Sequence, residues 1–207
     1  MMCNILIVDA QPIIRLALNI LLEKEKYRVV GETNNGINAL ELTRKLHPDI
    51  IVLDIDLPGL DGFEVIKRLK DSNLDAKVIV LTGLNPDIYI ARCIRVGANG
   101  FVSKNNDLNK LIGAIKAVQM GFSCFPTTDS LHFHSPGTKL REQELLTLLS
   151  NREVTVLRYL ARGVSNKEIA RDLLISNKTV STYKMRLMQK LNAKNVIELS
   201  GIVARNF

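Results

Sequence analysis

The 207-residue chain has no tryptophan, three cysteines, six prolines and 5% aromatic residues. Cys3, Cys93 and Cys124 share no metal-ligand spacing, and an odd count does not suit a disulfide framework, so reduced thiols are expected. No apolar run approaches the roughly 18 residues that span a bilayer. Met1–Val8 lacks the basic start and long apolar stretch of a signal peptide. These absences argue against disulfide scaffolds, cysteine-based metal modules and membrane proteins, and a cytoplasmic location is expected. There is no internal repeat or low-complexity tract. With 46% hydrophobic and 24% charged residues, the composition is that of a folded protein.

What the chain does have is unevenly placed charge. The net charge is +7. Residues 1–121 hold 15 Lys and Arg against 14 Asp and Glu, and residues 122–146 hold 2 against 3. Residues 147–207 hold 11 against 4, so the whole excess lies in the last third. That asymmetry points to a polyanionic partner for the C-terminal part.

Hydrophobic periodicity divides the chain the same way. Ile5–Val8, Arg28–Val30, Ile50–Leu53, Val78–Leu81 and Phe101–Val102 read as strands. Most are near-continuous Ile, Val and Leu, as in parallel strands buried on both faces. Helix-length amphipathic stretches follow at Ile13–Glu25, Ile37–Leu46, Gly62–Lys70, Pro86–Val96 and Leu108–Met120. Five β-α units in series imply a doubly wound α/β domain over 1–121, with strand order 2-1-3-4-5. Gly121–Gly137 has no period and holds Pro and Gly, so 122–145 reads as a linker, with a short helix over Lys139–Leu149 leading onward. Over 146–207 no strand signal remains. Ser150 with Glu153 and Ser165 with Glu168 form capping boxes. Ser176 or Asn177 caps a third helix carrying Val180, Tyr183, Leu187 and Leu191, and a fourth runs from about Asn195 to Arg205. The result is a small all-α four-helix unit.

Four chemically active residues share one placement in the first domain. Asp9 ends the first strand, Asp54 the third and Thr82 the fourth, and Lys104 follows the fifth. Open parallel sheets bind ligands beyond the carboxyl ends of their strands, where strand order reverses. An Asp carboxylate can attack phosphorus and form an acyl phosphate. Carboxylates with a backbone carbonyl are hard oxygen ligands suited to Mg²⁺, and a Lys ammonium offsets charge on a transferring group.

Ile5-Leu-Ile-Val-Asp9, Leu53-Asp-Ile-Asp-Leu-Pro-Gly-Leu-Asp-Gly62, Val80-Leu-Thr82 and Gly97-Ala-Asn-Gly-Phe-Val-Ser-Lys104 resemble the receiver domain of bacterial response regulators. The resemblance covers about residues 3–121 and implies a flavodoxin-like (βα)5 fold. It further implies Asp54 as phosphoacceptor, Thr82 and Lys104 as phosphoryl contacts, and Phe101 as a switch aromatic. The implied cofactor is Mg²⁺, held by Asp9, Asp54 and the carbonyl of Asp56. Two departures stand out: Ala10 falls where the family places a second acidic residue, and Asn105 follows Lys104 where many receivers have Pro. Ala10 leaves open an alternative, a degenerate receiver that never takes phosphate. A phosphatase is disfavoured, because Asp54-Ile-Asp56 is followed by Pro58 where such enzymes want a small hydroxyl or branched residue. No enzyme activity is expected.

In the C-terminal unit, Ser165–Leu173, a turn at Leu174–Ser176 and Asn177–Leu191 have helix-turn-helix lengths. The last helix should enter the major groove with Lys178, Ser181, Thr182, Met185, Arg186 and Gln189 exposed. Asn166, Lys167, Thr179, Lys184 and Lys190 are candidate phosphate contacts. Leu149-Ser-Asn-Arg-Glu-Val-Thr-Val-Leu157, Gly163-Val-Ser-Asn-Lys-Glu-Ile-Ala170 and Ile175-Ser-Asn-Lys-Thr-Val-Ser-Thr-Tyr-Lys184 resemble the LuxR-type helix-turn-helix of the NarL/FixJ family. Within that family the chain is similar to the BvgA, EvgA and FimZ group. The resemblance implies a homodimeric transcription factor binding double-stranded DNA at paired half-sites. A sensor histidine kinase, hybrid in that group, or its phosphotransfer domain would feed it, and RNA polymerase is a further partner.

Overall fold

The structure is a computed structural model that describes residues 2–105, 107–126, 142 and 144–207. The chain divides into two compact units, Met1–Thr127 and Thr128–Phe207.

The first unit alternates strands and helices. In order these are β1 (Asn4–Val8), α1 (Pro12–Lys24), β2 (Arg28–Thr33), α2 (Gly36–Leu46), β3 (Ile50–Leu53), α3 (Gly62–Asp71), β4 (Lys77–Thr82), α4 (Pro86–Val96), β5 (Gly100–Ser103) and α5 (Asn109–Gln119). The five strands form one sheet in the order β2-β1-β3-β4-β5, and every pairing is parallel. The expected order is therefore observed. β1, β3 and β4 lie inside the sheet, which is why Ile5–Val8, Ile50–Leu53 and Val78–Leu81 are apolar on both faces and buried. Ile5, Ile7, Ile50, Val52, Ile79, Leu81 and Val102 meet Leu18 and Leu22 of α1 and Leu111, Ile115 and Val118 of α5 in one cluster. Each such side chain contributes about 1.5–3 kcal/mol when fully buried.

One boundary differs from the periodicity by three residues. β2 continues three residues further, through Gly31, Glu32 and Thr33, because an edge strand is half-exposed and carries polar residues without breaking. Gly31 is where Leu46 of α2 presses closest, since a Cβ there would lie 2.9 Å from its Cδ1. Gly62 answers a tighter demand: a Cβ at this position would lie 2.5 Å from the Asp54 carbonyl oxygen. The start of α3 therefore packs directly on the backbone that carries Asp54.

In the second unit the described residues form α6 (Asn151–Ala161), α7 (Asn166–Asp172), α8 (Asn177–Lys190) and α9 (Val196–Asn206). Residues 144–147 are also helical, while 139–141 and 143 of the expected leading helix, like 127–137 of the expected linker, lie outside the described residues. Ser150 with Glu153 and Ser165 with Glu168 form the two capping boxes, and Ser176 caps α8. The turn between α7 and α8 pivots on Leu174, a non-glycine residue at φ 53°. Its amide-bonded neighbour closes the turn, as Ile175 donates to the Ala170 carbonyl at 2.9 Å.

Glu153 does two jobs in this unit. Its carboxylate accepts from the Ser150 amide at 2.7 Å and from Lys190 Nζ at 2.8 Å, and its side chain is buried. Burial alone would raise its pKa, but the Lys190 and Ser150 bonds outweigh burial and hold it below the ordinary glutamate value. A depressed carboxylate stabilises the fold above the unfolded-state pKa and loses that contribution as pH falls through the folded one. Glu153→Gln is therefore expected to cost about 1–2 kcal/mol at pH 7. The deficit should shrink towards pH 4, measured by thermal unfolding of the full chain at both pH values.

Candidate phosphoacceptor site and DNA-facing helix

The loops after β1, β3, β4 and β5 bring the sequence-selected residues to one end of the sheet. Lys104 Nζ lies 2.6 Å from Asp9 Oδ2 and 2.7 Å from Asp54 Oδ2. Both carboxylates are buried, at 1% and 4% residue exposure, so the ammonium is enclosed with them. Thr82 is fully buried, and its carbonyl accepts from the Lys104 amide at 2.8 Å. Phe101, two residues before Ser103 on β5, is buried as well. The Asp56 amide reaches Asp54 Oδ1 at 3.3 Å, and the Gln11 amide reaches Asp9 Oδ1 at 2.9 Å.

The electrostatics follow from burying two acids around one base. Burial raises the Asp9 pKa most, and the Asp54 charge adds to it, against the opposing pull of the Lys104 ammonium and the hydrogen bond from the Gln11 amide. For Lys104, burial by itself would lower the pKa, but the Asp54 and Asp9 carboxylates outweigh it and raise the value. Arg15 is a residue the sequence reading passed over. Its Nη1 donates to the Asp9 carbonyl at 2.9 Å, while Nε pairs with Glu32 at 3.4 Å, so the loop carrying Asp9 is held from α1 and β2.

A hard divalent cation fits part of this donor set. Asp9 Oδ2 is buried with an ion-pair contact to Lys104 but no directed hydrogen bond among the described residues. Two carboxylates and an open oxygen lone pair suit Mg²⁺ rather than a soft metal. Ala10 adds no side-chain ligand, and among the described residues no three His, Cys, Asp or Glu side chains gather as a metal cluster.

On α8, Val180 and Leu187 are buried, as is Leu191 at its C-cap. Lys178, Ser181, Met185, Arg186 and Gln189 are exposed, whereas Thr179, Thr182, Tyr183 and Lys184 are half-buried. Lys167 on α7 is exposed, and half-buried Asn166 donates to Ser181 at 3.3 Å, joining the two helices. Lys190 is placed differently from the other cations: its ammonium faces Glu153. No sequence signal marks that pairing across 37 positions.

A parallel five-stranded sheet with an Asp–Lys–Asp cluster at its carboxyl end, followed by a helix pair with a basic exposed face, defines a two-domain response regulator. Residues 5–116 match the response regulator receiver domain and residues 147–202 match the bacterial regulatory proteins of the luxR family. The chain belongs to the NarL/FixJ family of response regulators, with a receiver and a LuxR-type DNA-binding domain. It is 47% identical over 203 residues to the virulence-factor regulator BvgA of Bordetella pertussis, across 98% of this chain and 97% of that one. It is 36% identical over 203 residues to the DNA-binding transcriptional activator EvgA of Escherichia coli, across 98% of each. The solved structure of Salmonella typhimurium RcsB superposes with a TM-score of 0.78 at 28% identity, covering 100% of this chain and 99% of that one. RcsB bound to promoter DNA in the presence of the phosphomimetic BeF3⁻ gives 0.76 at 30% identity over 98% of each chain.

Proposed function

We propose that this response regulator is switched by phosphorylation of Asp54 and, so switched, reads promoter DNA as a homodimer through α8. The observation that carries the first half is the ammonium of Lys104 at 2.6 and 2.7 Å from the two buried carboxylates. An Asp54 oxygen attacks the phosphorus of a donor and the bond to the donor's leaving group breaks. Lys104 and the Thr82 hydroxyl then bind the phosphoryl oxygens, and Phe101 follows Thr82. Mg²⁺, when held by Asp9, Asp54 and the Asp56 carbonyl, offsets the negative charge gathered there. Support for the second half is the exposed row Lys178, Ser181, Met185 and Arg186 on α8, with Lys167 beside it and half-buried Thr179, Thr182 and Lys184 at its margins.

The physiological donor is a sensor histidine kinase or its phosphotransfer domain. Ile13, Leu16 and Ile20 stand exposed on α1, whose N-terminus opens at the Asp9 loop, and offer an apolar surface to such a protein. Dimeric binding accords with RcsB, of which two dimers on two parallel DNAs form a solved structure. RNA polymerase is the partner through which a promoter-bound dimer acts.

Ala10 favours one second reading, a receiver whose metal site is too weak to support transfer. One experiment separates the two. Full-length protein incubated with Mg²⁺ and a small phosphodonor such as acetyl phosphate is expected to gain one phosphoryl group at Asp54, by intact mass and peptide mapping. Asp54→Asn should gain none. Equal labelling of wild type and variant, or no labelling of either, sinks the phosphoacceptor reading.

A further inference from the structure

The stretch just past α5 belongs to the receiver sheet. Gly121, at φ 87°, ends α5 in the left-handed region, and the Phe122 amide closes the turn onto the Ala117 carbonyl at 3.0 Å. The chain then runs alongside β5. The Cys124 amide donates to the Asn99 carbonyl at 2.9 Å, and the Phe101 amide donates to the Cys124 carbonyl at 2.8 Å. Cys124 thus forms a parallel bridge with Gly100 on the open edge of β5. Its side chain packs against the core shared by β1, β3, β4 and α5.

Gly100 makes room for this contact. A Cβ there would lie 3.0 Å from the Cys124 carbonyl oxygen and 3.6 Å from the Cys124 Cβ. Its backbone is not in the left-handed region, so the close approach of Cys124 is the demand that glycine meets. Lys104, just after this strand, reaches the Asp54 carboxylate, and Phe101 lies buried on the strand itself.

We infer that the Phe122–Phe125 segment is a detachable edge strand that passes the state of the Asp54 pocket to the DNA-binding unit. The inference rests on the phosphoacceptor reading. A phosphoryl group that draws on Lys104 and Thr82 pulls the end of β5 and repacks Phe101. The Phe101 amide is bonded to the Cys124 carbonyl, so Cys124 is the first group outside the pocket to register that shift. The segment is also the weakest part of the sheet. It is held by a single bridge, whereas β5 pairs with β4 over four residues. Phe122 and Ser123 beside it are exposed. Short elements joined to a sheet by one bridge open before its interior strands. The receiver unit ends at Thr127, so whatever frees or fixes Cys124 sets the start of the connection to the helix-turn-helix.

Full-length wild type, Gly100→Val and Cys124→Pro test this together. Gly100→Val crowds the bridge, and Cys124→Pro removes its amide donor while leaving β5 unaltered. Three quantities are read with and without acetyl phosphate and Mg²⁺. They are labelling at Asp54, hydrogen exchange of the Phe101 and Cys124 amides, and affinity for a duplex selected by wild type from a random pool. Wild type is expected to show altered exchange at both amides on phosphorylation. Both variants should be labelled like wild type, yet their phosphorylation-dependent gain in DNA affinity should fall by at least about fivefold, the low end of ordinary coupling between sites. Labelled variants that keep the full gain overturn the latch alone, as does wild-type exchange indifferent to phosphorylation. Wild type that takes no label overturns the phosphoacceptor reading and the latch with it.

Discussion

Replacing Lys104 with methionine is expected to lower the stability of the receiver unit by about 3 kcal/mol at pH 7, because it strands two buried carboxylates without their cation. The side chains of Lys104, Asp9 and Asp54 are 10%, 2% and 5% exposed, so water screens this cluster little. Burial already holds the Asp9 carboxyl above its ordinary range, and Lys104 works against that rise. A carboxyl whose folded pKa is raised keeps its proton longer in the folded state, so stability falls as pH rises through the interval above the ordinary aspartate value. Losing Lys104 widens that interval. The deficit of Lys104→Met should therefore diminish as pH is lowered from 7 to 5, as the stranded Asp9 takes up a proton. Asp9→Asn in the same background should recover a large part of the loss, with a coupling of about 1–3 kcal/mol between the two changes. Urea unfolding at both pH values, with hydrogen exchange of the β-strand amides assigning the transition to the receiver, measures each quantity. A pH-independent deficit, or none, would mean that the ammonium does not balance the pair. The same logic explains an apparent paradox: Asp54→Asn, which ends the proposed chemistry, should leave the receiver as stable as wild type or more so. Two carboxylates facing one ammonium leave one buried negative charge unbalanced, which costs stability.

How much of this could be read in advance depended on whether the partner of a residue leaves a mark in the sequence. Interior strands announce themselves, since Ile50–Leu53 must be apolar on both faces. Edge β2 conceals its last turn of chain because Glu32 faces solvent. Ser150 and Glu153 were legible as a cap because both halves of the interaction are side chains three apart. Asp9, Asp54, Thr82 and Lys104 were legible as a group because strand ends in this topology converge, and the structure brings Lys104 onto both acids. What escaped was contact with the main chain. Arg15 acts on the Asp9 carbonyl, Gly62 makes room for the Asp54 carbonyl, and Cys124 pairs with Phe101 through backbone atoms. A carbonyl is the same at every position, so sequence pattern carries no trace of it. Lys190 escaped for another reason: it sat on the basic helix and counted towards its charge, while its partner Glu153 lies one helix pair away.

That distinction among the cations of α8 fixes the second large effect. Alanine at both Lys178 and Arg186 is expected to reduce specific DNA affinity by roughly a hundredfold or more, since each side chain that reads a base edge contributes about 1–3 kcal/mol of discrimination. Both are exposed on the helix face opposite Val180 and Leu187, so their removal leaves the helix packing intact. Lys167→Ala should behave differently. As a phosphate contact on α7 it should weaken binding to all sequences alike and reduce the slope of log affinity against log salt by about 1. Lys190→Ala should behave differently again, because its ammonium neutralises buried Glu153 and its loss registers as a lower unfolding temperature of the C-terminal unit. Fluorescence anisotropy on a selected duplex and on a scrambled one, at several salt concentrations, separates the three. The double variant should bind both duplexes with nearly equal affinity at an almost unchanged salt slope. Retained preference for the selected duplex would remove α8 as the reading element, and an equal loss on both duplexes with a shallower slope would make Lys178 and Arg186 phosphate contacts. Because a charged side chain serves DNA only if no buried acid holds it, the 11 Lys and Arg of residues 147–207 are an upper limit on the recognition charge. The part of it that reads sequence is the part that the fold leaves outside.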